Sequence, residues 1–439
     1  VSGLSIIIAA WKPGMTESTG GTLTDTPKDR GTHHSDGHTH AHDHAHPHRH
    51  VHPHNHVVGA DGRTSRRDFL RGLMGSALAG ASILELAYHR AAWARAAAPS
   101  SDAKLFDLQK AANGVYFAHA RPQALLNCNA AIFVRSKDVV VVDAHSKPSA
   151  AASLIHQIQR EITEKPVRYV VNTHFHWDHT QGDHAYRLTG EKVDFIASAS
   201  TKQLMSDLAV ARMKASVGAV PQQIDALRAR AARSTSAAEK AFCADQIAQM
   251  EAYQIELKNY TLELPTITFD KSYLLQDPAF DLHLDFHGHS HTAGDIFVFC
   301  PQQRAIATGD AIHGFLPNIA DGFPRLWPGT IDAVGHADFQ FLMGGHGPLQ
   351  TDRTVMTSQR NYIEELTGKV AEGKKAGLSV AEMQKRFTVA SLKSLQSNGY
   401  AEFLVRTSEQ SEAHFGKMPP LQEGVNANIH DVYSNLDRV

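Results

Sequence analysis

Cysteine is scarce in this 439-residue chain: only Cys128, Cys243 and Cys300 occur. They are too few and too scattered for a disulfide framework or a Cys-x-x-Cys metal site. A surplus of charge is missing as well, since 43 basic side chains face 45 acidic ones for a formal net charge of −2. That balance gives no electrostatic reason to expect nucleic acid or an anionic membrane as the main partner. No apolar run is long enough and clean enough to read as a spanning helix, so stable membrane insertion is not expected. Neither a phosphate-cradling glycine loop nor a Ser-His-Asp arrangement stands out. Histidine, by contrast, is plentiful, with 29 residues divided between a tail and a globular region.

Residues 1–60 are polar, Gly-rich and without hydrophobic periodicity, the composition of a disordered segment. From His38 to His56 every second residue is histidine. Neutral imidazoles in such a tract bind zinc, nickel or copper loosely; the alternative is a solvated low-complexity tail without a selected role. The sequence Thr64-Ser65-Arg66-Arg67-Asp68-Phe69-Leu70-Arg71 follows, then a modest apolar stretch at 72–87 and Ala94-Arg95-Ala96. Segment 61–98 therefore resembles a twin-arginine export signal, which would engage that export machinery and deliver the chain to the periplasm or beyond. A membrane-spanning helix fits less well, because the stretch is short, rich in Gly and Ala, and interrupted by Glu85.

From about residue 99 the pattern is globular α/β. Ala130–Val134 and Val139–Val142 read as strands around a Ser136-Lys137-Asp138 turn. Leu154, Ile155, Ile158 and Ile162 recur at helical spacing. Val167–Val171 is a further strand. Residues 202–258 read as a helical insertion between two strand-rich halves. Strands resume near Thr266 and at 282–286, 296–300 and 305–308. Beyond 351 the pattern turns helical again, with Ser379 and Glu382 spaced as a capping box. The expected organisation is a tail at 1–60, a signal at 61–98, a domain at 99–350 and a helical extension at 351–439.

Directly after the strand ending near Asn172 comes His174-Phe175-His176-Trp177-Asp178-His179. Residues two apart at a strand end point the same way, so His174 and His176 can grip one cation. Asp178 and His179, past the strand end, can turn toward a second. Imidazole and carboxylate without thiolate is a set suited to catalytic zinc. The alternative is a group of surface histidines near a turn.

This motif, in this place, resembles the signature of the metallo-β-lactamase superfamily. Four further elements occur in that family's order between about 127 and 350. Asp143 ends the Val139–Val142 run and is similar to the family's early strand-end aspartate, which supports the ligands from behind. His291-Thr292-Ala293-Gly294-Asp295 resembles the element carrying the third histidine of the first metal. Thr308-Gly309-Asp310 resembles the element whose aspartate bridges both metals, and Gly344-Gly345-His346-Gly347-Pro348 the one completing the second site. The resemblance implies an α/β fold, a four-layer αββα sandwich with the helical insertion and C-terminal extension added. It implies two Zn2+ ions, one on His174, His176 and His291 and one on Asp178, His179 and His346, with Asp310 between them. His287 and His289 are rivals for the role given to His291. His184, His313 and His336 read as surface or supporting residues.

Two cations sharing a water make a hydroxide nucleophile available near neutral pH. Asp178 is placed to orient it and carry its proton, which makes Asp178 the expected catalytic residue. The expected activity is hydrolysis of a small-molecule lactam, lactone, ester or thioester, with phosphodiesters ranked lower. Asp310 stands where some β-lactamases have a zinc-bound cysteine, which is more similar to the glyoxalase II and lactonase branches. Trp177, Phe315, Phe323 and Trp327 are candidates for an apolar pocket or for plain core. Two other readings remain at this point: an iron-loaded oxidoreductase on the same fold, and a periplasmic metal store built on the histidine tail.

Overall fold

A computed structural model describes residues 105–121, 128–258, 260–415 and 421–438. The histidine-rich tail and the twin-arginine segment lie outside the described residues. Among those described, no helix is long and apolar enough to cross a membrane.

Valines 139–142 show how the sequence builds the centre of the molecule. All four are buried, but Val140 and Val142 point into one apolar cluster, while Val139 and Val141 point into another. A strand apolar on both faces must be covered on both sides, and this one is. It is β4 (Val139–Val142) of a seven-stranded sheet in simple sequential order. The other members are β1 (Phe106–Ala112), β2 (Val115–Ala120), β3 (Ala130–Val134), β5 (Val167–Val171), β6 (Asp194–Ser198) and β7 (Ile267–Phe269). Strands β1 to β4 pair antiparallel; β4 to β7 pair parallel. The second sheet has order β12-β11-β10-β9-β8. It comprises β8 (Ser272–Leu275), β9 (Leu282–Asp285), β10 (Phe297–Cys300), β11 (Ala305–Gly309) and β12 (Phe341–Gly344).

Three apolar clusters set the layers. Between the sheets, Phe117, Phe133, Val140 and Val171 meet Leu282, Leu284, Val298 and Ala307. On the outer face of the first sheet, Ile132 and Val141 pack against Leu154 and Ile155 of α1 (Pro148–Gln157). On the outer face of the second, Phe297, Ile306 and Leu342 pack against the C-terminal helices. The result is the four-layer αββα sandwich that the family resemblance implies. The C-terminal helical region supplies most of the fourth layer: Tyr362, Leu366 and Val370 of a helix over Thr354–Lys375, with Val425 and Ile429 of another over Leu421–Asn435. Ser379 and Glu382 do form a capping box at the start of Val380–Arg386, an arrangement worth about 1 kcal/mol.

The insertion is a helical hairpin. In chain order after α1, the helices are α2 (Trp177–Thr180), α3 (Asp183–Arg187), α4 (Ala199–Leu204), α5 (Val210–Arg233) and α6 (Ala237–Leu257). Helices α5 and α6 share a small cluster of their own, with Val220, Ile224, Leu227, Met250 and Tyr253, and Trp177 packs against it. Strands β1, β2, β6, β8 and β12 escape the sequence reading. Only Phe106 of β1 is buried and Asp107, Gln109 and Lys110 are exposed, while β6 and β12 are short runs beside Gly or Ser.

Candidate metal centre

The His174–His179 segment leaves β5 and turns at once into α2, so its side chains gather at the end of the parallel strands. His176 has extended backbone and α2 begins after it. The strand-end reversal before it is tight: Asp143 and His145, after β4, have φ of 68° and 73°. Non-glycine residues in that region carry strain, which concentrates at functional sites. Gly309 (φ 50°) lies so close to Thr173 that a Cβ there would be 2.3 Å from the Thr173 hydroxyl.

Two groups of side chains result. His174, His176 and His291 form one, and Asp178, His179, Asp310 and His346 the other; within each, one candidate ligand atom per residue lies within 4.8 Å of the rest. In the first, Nε2 of His291 is 2.9 Å from Nδ1 of His176. In the second, Nε2 of His346 is 3.0 Å from Oδ2 of Asp178. Asp310 spans both, with Oδ1 3.4 Å from His179 Nε2 and Oδ2 3.7 Å from His291 Nε2. The chain thus brings together all seven predicted ligands, divided as the resemblance implies.

Each of four of these histidines is held by its outward nitrogen. His179 Nδ1 lies 2.8 Å from Asp143 Oδ2, and His174 Nδ1 3.0 Å from Thr173 Oγ1. His291 Nδ1 is 2.9 Å from the Asn318 carbonyl, and His176 Nε2 is 2.9 Å from Asp321 Oδ2. An outward N–H held this way leaves the inward nitrogen as a lone pair, the arrangement typical of metal-ligating imidazoles. Buried atoms inside the groups remain without hydrogen-bond partners: His174 Nε2, His179 Nε2 and Asp310 Oδ1. Native proteins seldom leave buried polar atoms unpaired. The donor set and its unpaired atoms fit two cations.

The histidines divide by charge, and His179, though buried, is held well above the ordinary range by its carboxylate neighbours. Burial, together with neighbouring imidazoles, holds His174 well below the ordinary histidine range, and burial takes His291 to about 3. Both stay neutral, as ligands must. Burial opposes charge on Asp178 and Asp310, yet the adjacent His179 and His346 hold both carboxyls well below their usual range. His346 is partly buried, which lowers its pKa, but Asp310 and Asp178 push it up to about 9.

Of the other histidines, His289 bonds the Ala293 carbonyl through Nδ1 and stacks on Phe323, while His287 packs beside Phe297. Neither joins the two groups. His184 pairs with Glu263, His336 is exposed, and His313 is buried against the His346 ring. Trp327 is wholly buried and donates to the Ala311 carbonyl, a core role. Phe315 stacks parallel to His346 with centroids 5.8 Å apart. The three cysteines are buried and unpaired, and burial pushes the Cys128 thiol up to about 12.

Sequence reading missed Asn129, Asp321 and Arg212. Asn129 Nδ2 donates to the carbonyls of Gly344 and Gly347, fixing the loop that carries His346. Asp321 comes from a loop and Arg212 from α5, each with no motif around it.

The layers and the site together define a metallo-hydrolase fold. Residues 124–340 match the model of the metallo-beta-lactamase superfamily, and this part of the chain is a member of that superfamily. Among solved structures, the chain is similar to a stereoselective inverting sec-alkylsulfatase from Pseudomonas sp., at 17% identity and TM-score 0.51, covering 76% of this chain and 52% of that one. A metallo-beta-lactamase from Pontibacter korlensis matches at 17% identity and TM-score 0.43, over 59% of this chain and 99% of that one. The metallo-beta-lactamase FIM-1 from Pseudomonas aeruginosa, in a mono-zinc form, matches at 19% and 0.42, over 59% and 95%.

Proposed function

We propose that this protein is a hydrolase holding two zinc ions and acting on a small carboxylic derivative: a lactam, lactone, ester or thioester. His174, His176 and His291 would hold one ion, Asp178, His179 and His346 the other, with Asp310 shared. The observation that carries the reading is that three buried atoms, His174 Nε2, His179 Nε2 and Asp310 Oδ1, have no hydrogen-bond partner, the last two meeting in a 3.4 Å charge contact. Leaving such an atom unsatisfied costs about 1–3 kcal/mol, and a cation in each group removes the penalty. Imidazole and carboxylate without thiolate suits zinc among the common divalent metals. When bound, zinc supplies Lewis acidity, which lowers the pKa of water and polarises an acyl oxygen.

The chain's own residues supply position and proton handling. Asp178 enters the second group through α2 and touches both His179 and His346. Its carboxylate can orient a nucleophile and accept or return a proton. Arg212, a cation beside the site, is already paired with Asp321, which argues for a substrate other than a polyanion. Export through the twin-arginine machinery is part of this reading and rests on the sequence of residues 61–98: the paired arginines, the apolar stretch after them and Ala94-Arg95-Ala96.

The test is a hydrolysis screen of the zinc-loaded chain across lactams, lactones, esters, thioesters, phosphodiesters and sulfate esters. Cleavage of at least one carboxylic derivative is expected, abolished by a chelator and restored by zinc. Turnover confined to phosphodiesters or sulfate esters would overturn the substrate class.

A further inference from the structure

The outward nitrogens of His174, His179 and His291 are held by residues of the sandwich and its loops. His176 differs. Its Nε2 rests on Asp321, and Asp321 is gripped by the insertion: Arg212 of α5 places Nη1 2.8 Å from Oδ2 and Nη2 2.9 Å from Oδ1. The guanidinium also lies over the Phe175 ring, 4.9 Å from its centroid. We infer that Arg212 is a positioning residue for the first metal, acting through Asp321 to fix the ring of His176.

This inference rests on the dinuclear reading above. An imidazole can offer either nitrogen to a cation, and the hydrogen bond made by the other nitrogen decides which. Here Nδ1 faces His291, 2.9 Å away, so Nε2–H must be held outward. Asp321 does this from a loop, where a lone carboxylate has several rotamers open to it. The two-pronged guanidinium contact selects one of them, a geometry that lysine cannot reproduce. The hairpin bearing Arg212 is itself anchored nearby. Tyr253 of α6 donates to Gln181 Oε1 at 2.8 Å, and Glu256 accepts from the Ser149 hydroxyl at 2.9 Å. A hairpin far from the motif in sequence thereby sets the angle of one of its histidines.

The experiment measures zinc retained by the full chain against graded chelator, for wild type, Arg212→Gln, Arg212→Lys, Asp321→Asn and the double variant Arg212→Gln with Asp321→Asn. The histidine tail contributes equally to all. Losing such an outer contact typically costs about 10- to 100-fold in metal affinity. Arg212→Gln should show that loss for one zinc only, the one that His346→Ala retains. Arg212→Lys should lose less. The double variant should be no worse than Asp321→Asn, because Arg212 acts through that carboxylate. Thermal unfolding of the metal-free forms separates positioning from packing: a packing role would lower their Tm and weaken both zincs together, which would overturn the inference. Unchanged affinity in Arg212→Gln would overturn it too. If that variant does not fold, Arg212→Lys decides by the same titration, and wild-type affinity there is the contrary result. A wild type retaining fewer than two chelator-resistant zincs would remove the dinuclear reading and this inference with it, a failure visible before any variant is compared.

Discussion

Asp143 holds His179 with Oδ2 2.8 Å from the ring Nδ1, from a backbone at φ 68°. The same carboxylate accepts from Thr173 N at 2.8 Å and from the Thr173 hydroxyl, which itself lies 3.0 Å from His174 Nδ1. One buried side chain therefore orients a histidine in each candidate metal group. Asp143→Asn should weaken both zincs by about 10- to 100-fold in chelator competition. Asn is the informative replacement because it tolerates positive φ, whereas Ala would add backbone strain. An effect confined to one zinc would show that the Thr173 relay to His174 carries no weight.

Gly345 offers a steric test of the second group. A Cβ there would lie 2.2 Å from Asp310 Oδ1 and 2.7 Å from His179 Cε1. Neither neighbour can yield without leaving its ligand position. Gly345→Ala should release the second zinc while keeping most of the first. Gly329→Ala, at an exposed glycine whose added Cβ meets nothing within 4 Å, serves as the control and should change neither. Metal analysis of both variants, with circular dichroism to confirm folding, checks this.

In the metal-free protein His346 remains protonated up to about pH 9, since Asp310 and Asp178 outweigh its burial. A ligating imidazole must be neutral, so loading the second site near pH 7 has to expel that proton. Affinity at this site should therefore rise with pH from 7 toward 9, by at least about tenfold per unit, because His179 in the same group is also held well above the ordinary histidine range and must lose a proton too. Calorimetry in buffers of differing ionisation heat should register the released proton. Affinity independent of pH across that interval would contradict the charge state assigned to His346.

The candidate ligands His174, His176, Asp178 and His179 were legible in one short motif, while His291, Asp310 and His346 were picked out only by the resemblance of ordered elements to a family. The α/β class was legible where apolar runs are dense, as at Val139–Val142, whereas the αββα layering came only with the family resemblance. Strand β1 was not, since exposed Asp107 and Lys110 interrupt it and its partner, not its composition, makes it a strand. The supporting residues were hidden for a different reason. Asn129 reaches loop carbonyls 215 and 218 positions away, and Arg212 meets Asp321 across 109. Such pairings exist only after the chain has folded. The same holds for the C-terminal helices: their periodicity was plain, but their place as the cover of the second sheet was not.

Asp178 carries the chemical claim, so its replacement is the decisive mutation. Its carboxylate lies within 3.0 Å of His346 Nε2 and 3.5 Å of His179 Nε2, held well below the ordinary pKa despite burial. It is thus ionised at any working pH and able to accept a proton from a nucleophile beside it. Asp178→Asn preserves the shape and removes the charge. If the residue only held metal, raising free zinc should restore turnover. If it also handles the proton, turnover should stay low with both zincs bound. The expected loss is about 100- to 10,000-fold. It should fall chiefly on kcat, with a smaller change in KM, because proton transfer matters in the transition state more than in substrate binding. Measuring kcat and zinc content together on the best substrate of the screen separates the two roles. Full kcat in a zinc-saturated Asp178→Asn protein would remove Asp178 from the chemistry and leave it a ligand alone.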